Sequence, residues 1–231
     1  MSLTFQEYFV RFERAAIRHK AHLTPLSNGG CIARFGIGPC FAIMSGLHGD
    51  EGSGPLSILE WLEALPVETP LRHQFWIAPL VNDDGWDQGK REWQNLDLNR
   101  SFNGAAPDFL ATIMMDLEIA RPDLFLDLHE DSYYEGPYLF QFTGDTHPLV
   151  TQLASNLDFE TEPWSDLAAW ETASETYVRR LGCDYTVTIE VPPVWPLEKR
   201  IQKNIQVITW LQENVMLNDR SANQLTQISM I

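Results

Sequence analysis

Residues 40–65 read CFAIMSGLHGDEGSGPLSILEWLEAL, and two periodicities meet inside them. Residues 40–45 form a short apolar run closed by Gly46, the mark of a buried strand. From Pro55 the pattern changes. Leu56, Leu59, Leu62 and Leu65 recur at helical spacing, and proline suits a first helical turn. A glycine-rich polar loop, residues 46–54, joins the two.

Outward from this unit the alternation repeats. Strands are predicted at 75–81, 124–128, 138–142 and 185–191. Helices are predicted at 108–120, stopping before Pro122, at 172–181, with Gly182 in the position of a C-cap, and at 197–211. Strands alternating with helices imply an α/β fold, its sheet at least partly parallel and covered on both faces. In such sheets ligands gather at the carboxyl ends of strands.

The 231 residues suffice for one catalytic domain with a sizeable core, and 44% of them are apolar. Residues 1–25 are amphipathic and charged and read as a helical segment rather than a signal peptide. A polar tail begins at about Asn218. No apolar run approaches a membrane span. The net charge of −16 argues against nucleic acid and anionic membranes. It is compatible with cationic substrates and equally with plain solubility. Cys31, Cys40 and Cys183 are too few for a disulfide framework and fit no zinc spacing. Free thiols of this kind point to the cytoplasm. The sequence leaves the oligomeric state open.

Polar residues cluster where the predicted strands end. His48 and Glu51 stand three apart on the glycine-rich loop, and imidazole nitrogen with carboxylate oxygen suits zinc. The spacing alone also fits a surface turn. His129, directly after the predicted strand 124–128, is the candidate third ligand. Three protein ligands with an open fourth position describe a catalytic zinc site, one ion per chain. Asp97 is a candidate partner for the outer nitrogen of a ligating histidine. Asn99 and Arg100 could hold a carboxylate, the guanidinium in bidentate geometry. Glu190 lies in an apolar strand, where a carboxylate is costly to bury. It is expected to reach a polar cavity and to act as general base on water.

The ordered set HGDEGSG (48–54), NDDG (82–85), an arginine, DLNR (97–100), DLH (127–129) and TIE (188–190) resembles the zinc carboxypeptidases of the carboxypeptidase A and B clan. It is related to the succinylglutamate desuccinylase and aspartoacylase branch. The resemblance runs from about Cys40 to Leu211. It implies a mixed, mainly parallel sheet of about eight strands between helices, with His48, Glu51 and His129 as zinc ligands. It further implies that Asp97 orients His48 and that Asn99 and Arg100 bind a terminal carboxylate. Arg91 would stabilise the oxyanion, with Lys90 as a weaker substitute, and Glu190 would activate water. Glu175 falls near the position that selects the terminal side chain, where an acid favours a basic one. The substrate-capping tyrosine of that family has no counterpart near residues 164–170, which leaves Tyr133 or Tyr134 as substitutes. The acidic run 129–131 could take a second metal or a substrate amine, or be a solvated loop.

The expected activity is therefore cleavage of a C-terminal peptide or amide bond in a peptide or small amide substrate with a free carboxylate. A related expectation is hydrolysis of N-acyl amino acids. Enzymes of that branch usually carry a further β domain after the catalytic glutamate, and only about forty residues follow Glu190 here. A module that binds peptide termini without turnover would not need Glu190. A structural zinc site would be closed by four ligands and rich in cysteine.

Overall fold

The computed structural model of the chain describes residues 3–68, 70–141, 148–163, 170–183 and 185–215. The polar tail from Asn218 and residues 164–169 lie outside them. The described elements run α1 (Phe5–Arg18), β1 (His22–Pro25), β2 (Cys31–Gly36), β3 (Cys40–Ser45), α2 (Ser53–Ala64), β4 (Gln74–Ala78) and α3 (Asp83–Gln88). A 3-10 turn (Leu98–Arg100) follows, then α4 (Asp108–Ala120), β5 (Leu124–Glu130), β6 (Tyr138–Gln141) and α5 (Pro148–Leu157). The last are β7 (Glu160–Pro163), α6 (Ser174–Arg180), β8 (Tyr185–Val191) and α7 (Leu197–Asn214).

The sheet has eight strands in the order β1-β2-β4-β3-β5-β8-β6-β7. Its centre is parallel, β3 pairing with β4 and β5, and β5 with β8. The pairings β1–β2, β2–β4 and β6–β8 are antiparallel. The expected mixed, mainly parallel α/β sheet between helices is thus the observed one.

Alternation along the strands divides the core in two. Phe41, Ile43, Leu124, Leu126, Val187 and Ile189 pack against α1, α2, α5 and α7. Ala42, Met44 and Phe125 pack on the opposite face with Phe109, Leu110 and Ile113 of α4 and Val178 of α6. Side chains two apart share a face of a strand. Asp127 and His129 therefore continue the Phe125 face, and Thr188 and Glu190 continue it on β8.

Chain direction fixes where a ligand can enter. From β3 the chain goes to β4 on one side and then to β5 on the other. The strand order thus reverses around β3, the arrangement in which a ligand crevice is expected at the carboxyl ends of β3 and β5. The loop after β3 is the glycine-rich segment with His48 and Glu51.

Two expectations shift. The N-terminal helix does not reach residue 25. It starts from a Thr4–Glu7 capping box and ends at Arg18, and His22–Pro25 pairs with β2 as an edge strand. β5 continues to Glu130, so His129 lies inside the strand rather than after it. Pairing of His129 with Glu190 across β8 carries the strand beyond its apolar part. Among the described residues no helix is long and apolar enough to cross a membrane.

Candidate metal centre and active site

His48, Glu51 and His129 come together at the crevice, each buried, with one ligand atom apiece lying within 4.8 Å of the others. Glu51 is the hub. Its Oε1 is 2.6 Å from His48 Nδ1, and its Oε2 is 2.9 Å from His129 Nδ1. Oε2 also accepts the Glu130 backbone N–H at 3.2 Å.

The outer nitrogens of both rings face other carboxylates. His48 Nε2 lies 3.2 Å from Asp97 Oδ1, and His129 Nε2 lies 3.2 Å from Asp127 Oδ2. A carboxylate on Nε2 holds the proton there and turns the Nδ1 lone pair inward, the usual setting of a metal-ligating histidine. The donor set, two imidazole nitrogens and a carboxylate oxygen, therefore fits a divalent transition-metal ion. The electrostatics agree. Burial opposes charge on His129 and His48, yet Asp127 and Glu51 hold the first well above the ordinary imidazole pKa, and Asp97 and Glu51 raise the second. Burial would raise Glu51, but His129 and His48 hold it far below the carboxylate range. A divalent cation balances the same carboxylate charge while leaving both rings neutral, the form in which they ligate.

Local sequence explains the approach of these groups. Asp97 is the N-cap of the 3-10 turn, accepting Asn99 N–H at 2.9 Å with the same Oδ1 that meets His48. Asn82 is fully buried. Its Oδ1 caps α3 through Gly85 N–H, and its Nδ2 donates to the carbonyls of Leu47 and Arg91. One side chain thus ties the loop of His48 to the segment of Arg91.

Arg91 reaches the cluster, donating to Glu51 Oε1 at 2.8 Å from a half-exposed position. A cavity of about 550 Å³ opens beside it, lined by Asp84, Lys90 and Asn95 among others. The Lys90 ammonium instead donates to Gln88 Oε1. Arg100 stacks over Trp170 at 3.7 Å and donates one N–H to its neighbour's carbonyl, Asn99 O, at 2.8 Å. Among the described residues its remaining donors meet no other acceptor. Asn99 is more internal than expected. Its Oδ1 accepts Ser174 N–H at 3.1 Å, capping α6 from outside, and its Nδ2 lies 3.4 Å from His129 Nε2.

Glu190 sits in register with His129 on one side and Tyr138 of β6 on the other. Its carboxyl is buried with Oε2 lacking a hydrogen-bond partner. Burial raises its pKa well above the ordinary value, and His129 only partly offsets this. Glu175 is buried beside Asp127 and accompanies Ser174. Tyr134 donates to Glu162, and Tyr133 is exposed. Tyr138, its ring packed on Tyr134, holds the place opposite Glu190. Within the acidic run, Glu130 is no solvated residue. It is buried, accepts Ser53 N–H at 2.7 Å at the start of α2, and pairs with Arg200 of α7.

Asn82 and Asp127 stand in the NDDG and DLH motifs without an assigned role, and Ser174 stands in no motif. For Asp127 the signal was present, since it stands two residues before His129 on one strand.

A family model for the succinylglutamate desuccinylase/aspartoacylase catalytic domain matches residues 37–213. No curated protein sequence is matched by the chain. Among solved structures it is similar to a candidate metallopeptidase from Shewanella baltica, with TM-score 0.76 and 20% identity over 88% of this chain and 89% of that one. It is similar to a metallo-carboxypeptidase from Pseudomonas aeruginosa in complex with (2-guanidinoethylmercapto)succinic acid, with TM-score 0.75 and 16% identity over 91% and 68%. A carboxypeptidase A from Helicoverpa armigera gives TM-score 0.63 and 16% identity over 89% and 72%. At such identities the likeness is one of fold.

Proposed function

Because the chain belongs to the succinylglutamate desuccinylase/aspartoacylase catalytic-domain family, we propose that it is a zinc-dependent hydrolase that cleaves an amide bond in a substrate with a free carboxylate, in the manner of a carboxypeptidase. The observation that carries this reading is the Glu51 carboxylate facing Nδ1 of both His48 and His129, while Asp97 and Asp127 take the outer nitrogens. His48, Glu51 and His129 would hold one zinc ion. That ion supplies Lewis acidity, which polarises a carbonyl, lowers the pKa of water and favours the ionised form of a neighbouring carboxylate.

The chain's own groups do the rest. Glu190, one strand over from His129, takes the proton of the attacking water and returns it to the leaving amine. Its burial makes it a stronger base than an exposed carboxylate. Arg91 brings a guanidinium to the ligand set, where it stabilises negative charge developing on the carbonyl oxygen. Arg100, stacked on Trp170, offers its free N–H groups to the substrate carboxylate, with Asn99 holding the turn beneath it. The succinic acid derivative bound by the Pseudomonas neighbour is compatible with a carboxylate-bearing ligand.

The family match favours a second reading of the same chemistry, hydrolysis of N-acyl amino acids. A module that only binds peptide termini gives no reason to bury the Glu190 carboxyl beside a metal ligand. The test is zinc content of the purified chain, followed by assays on C-terminal peptides and on N-acyl amino acids with wild type and Glu190→Gln. About one zinc per chain, and a roughly 10²–10⁴-fold loss of kcat in Glu190→Gln with the metal retained, are expected. A chain that takes up no zinc, or a Glu190→Gln variant as active as wild type, overturns the proposal.

A further inference from the structure

Ser174 has one hydroxyl hydrogen and two carboxyl neighbours. Its Oγ lies 2.5 Å from Asp127 Oδ2 and 2.7 Å from Glu175 Oε2. Ser174 and Asp127 are 0% exposed and Glu175 is 1% exposed, so no bulk water shares the load. A hydroxyl donates one hydrogen bond. Two contacts this short need a second hydrogen, and it has to come from one of the carboxyls.

Asp127 Oδ2 already faces a second donor. Asp127 Oδ2 also lies 3.2 Å from His129 Nε2, a ring N–H that requires an acceptor. At 3.4 Å the Asn99 amide nitrogen is the more distant neighbour of Nε2, and a donor besides. Glu175, by contrast, makes no ion pair among the described residues. With the proton on Glu175 every hydrogen finds an acceptor. Glu175 O–H donates to Ser174 Oγ, Ser174 O–H donates to Asp127 Oδ2, and His129 Nε2–H donates to the same oxygen.

We propose that Glu175 stays protonated in the folded protein and acts as a positioning residue, fixing His129 through Ser174 and Asp127 with Nδ1 turned toward Glu51. The last link, His129 as a metal ligand, rests on the function proposed above, as does the N–H placed on His129 Nε2; the single Ser174 hydrogen between two carboxyls does not. Burial and the neighbouring Asp127 both raise the Glu175 pKa, in the direction the geometry requires. The charged groups bearing on it are Asp127 and His129 of β5 and Arg100 of the 3-10 turn. The resemblance to carboxypeptidases gives Glu175 the choice of a basic side chain. A neutral acid that spends its hydrogen on Ser174 has no charge with which to make that choice.

The full-length chain tests this with Glu175→Gln, Glu175→Ala and Ser174→Ala. A glutamine amide can make the same donation to Ser174; alanine cannot. Zinc affinity is read by competition with a chromophoric chelator. Protonation is read from the infrared difference spectrum of wild type against Glu175→Gln near neutral pH, with or without metal. The expected result is a protonated-carboxyl band assigned to Glu175, wild-type zinc affinity in Glu175→Gln, and a roughly 10–100-fold loss in Glu175→Ala and Ser174→Ala. A Glu175→Gln variant as weak as Glu175→Ala, or a Glu175 carboxyl ionised near neutral pH, overturns the proposal. Should the alanine variants fail to fold, the infrared result and the glutamine variant decide. A wild type that binds no zinc yet shows the band sinks the metal reading of function and leaves the protonated carboxyl supported.

Discussion

Gly49 and Gly85 pack backbone against backbone: a Cβ on Gly49 would lie 2.1 Å from the Gly85 carbonyl carbon and 2.3 Å from Trp86 N. The segment between His48 and Glu51 is thereby nested on the first turn of α3, and Gly49 N–H donates to Arg91 O at 3.2 Å. The opposing atoms are backbone and cannot swing away. Gly49→Ala is therefore expected to destabilise the chain by about 1–3 kcal/mol or more and to weaken zinc binding. Gly52→Ala, whose new Cβ meets only Trp86 Cζ3 at 3.9 Å, is expected to be mild. Thermal melts and zinc titrations of the two variants compare the sites directly, and equal effects would refute the close-packing account.

The same loop marks what a sequence can reveal. Apolar runs that face helices on both sides, such as β3 and β8, announce themselves, and both occupy the predicted residues. Edge strands do not. β1 (HLTP) and β7 (ETEP) are short, polar and closed by proline, features that protect an edge and erase the alternating pattern. Among the candidate site residues, the meeting of His48, Glu51, His129 and Asp97 was legible because metal chemistry restricts residue type and strand ends restrict place. Ser174 and Asn82 were not. Asn82 meets the backbone carbonyls of Leu47 and Arg91, and Ser174 gives its N–H to the Asn99 side chain and its hydroxyl to Asp127, partners that no spacing along the chain encodes.

Glu130 and Arg200 tie α7 to the site. Glu130 is buried and Arg200 partly so, and Glu130 also caps α2 through Ser53 N–H while its own N–H holds Glu51. Removing one partner leaves the other charge without compensation. Arg200→Met is expected to cost about 3–5 kcal/mol, and the double variant Arg200→Met/Glu130→Gln to cost less than the two single changes combined. Urea unfolding of the four proteins in a cycle measures the coupling, and additive costs would exclude it.

His73 makes stability depend on pH away from the metal ligands. It is 2% exposed, its Nε2–H reaches Gln212 O at 3.3 Å, and its Nδ1 is buried without a partner. A proton on Nδ1 would have no acceptor. Burial lowers its pKa, and the bond to Gln212 O offsets this only in part. Between that lowered value and the ordinary imidazole value the unfolded chain binds a proton that the folded chain refuses. Stability contributed by His73 is thus complete above the ordinary value and is lost as pH falls through this window, by at most about 1.4 kcal/mol per pH unit. His73→Gln is expected to melt with a shallower acid slope than wild type. Parallel slopes would show that residue 73 titrates alike in both states.

Zinc is expected to stabilise the chain through His48, Glu51 and His129, because a metal that binds only the folded state shifts unfolding by mass action. At a free zinc concentration of one hundred times Kd the gain is about 2.7 kcal/mol, visible as a rise in Tm and reversed by a chelator. The ligand set predicts selectivity as well. Two imidazoles favour zinc, cobalt or nickel, whereas magnesium and calcium seek oxygen ligands. Those two ions should leave Tm unchanged. His129→Ala removes a ligand on β5 and should abolish the zinc response, while Asp97→Asn, which keeps the acceptor facing His48 Nε2 without its charge, should weaken it by roughly 10–100-fold. A zinc response that survives in His129→Ala would place the metal elsewhere on this acidic surface, and the reading of the crevice as a metal centre would fall with it.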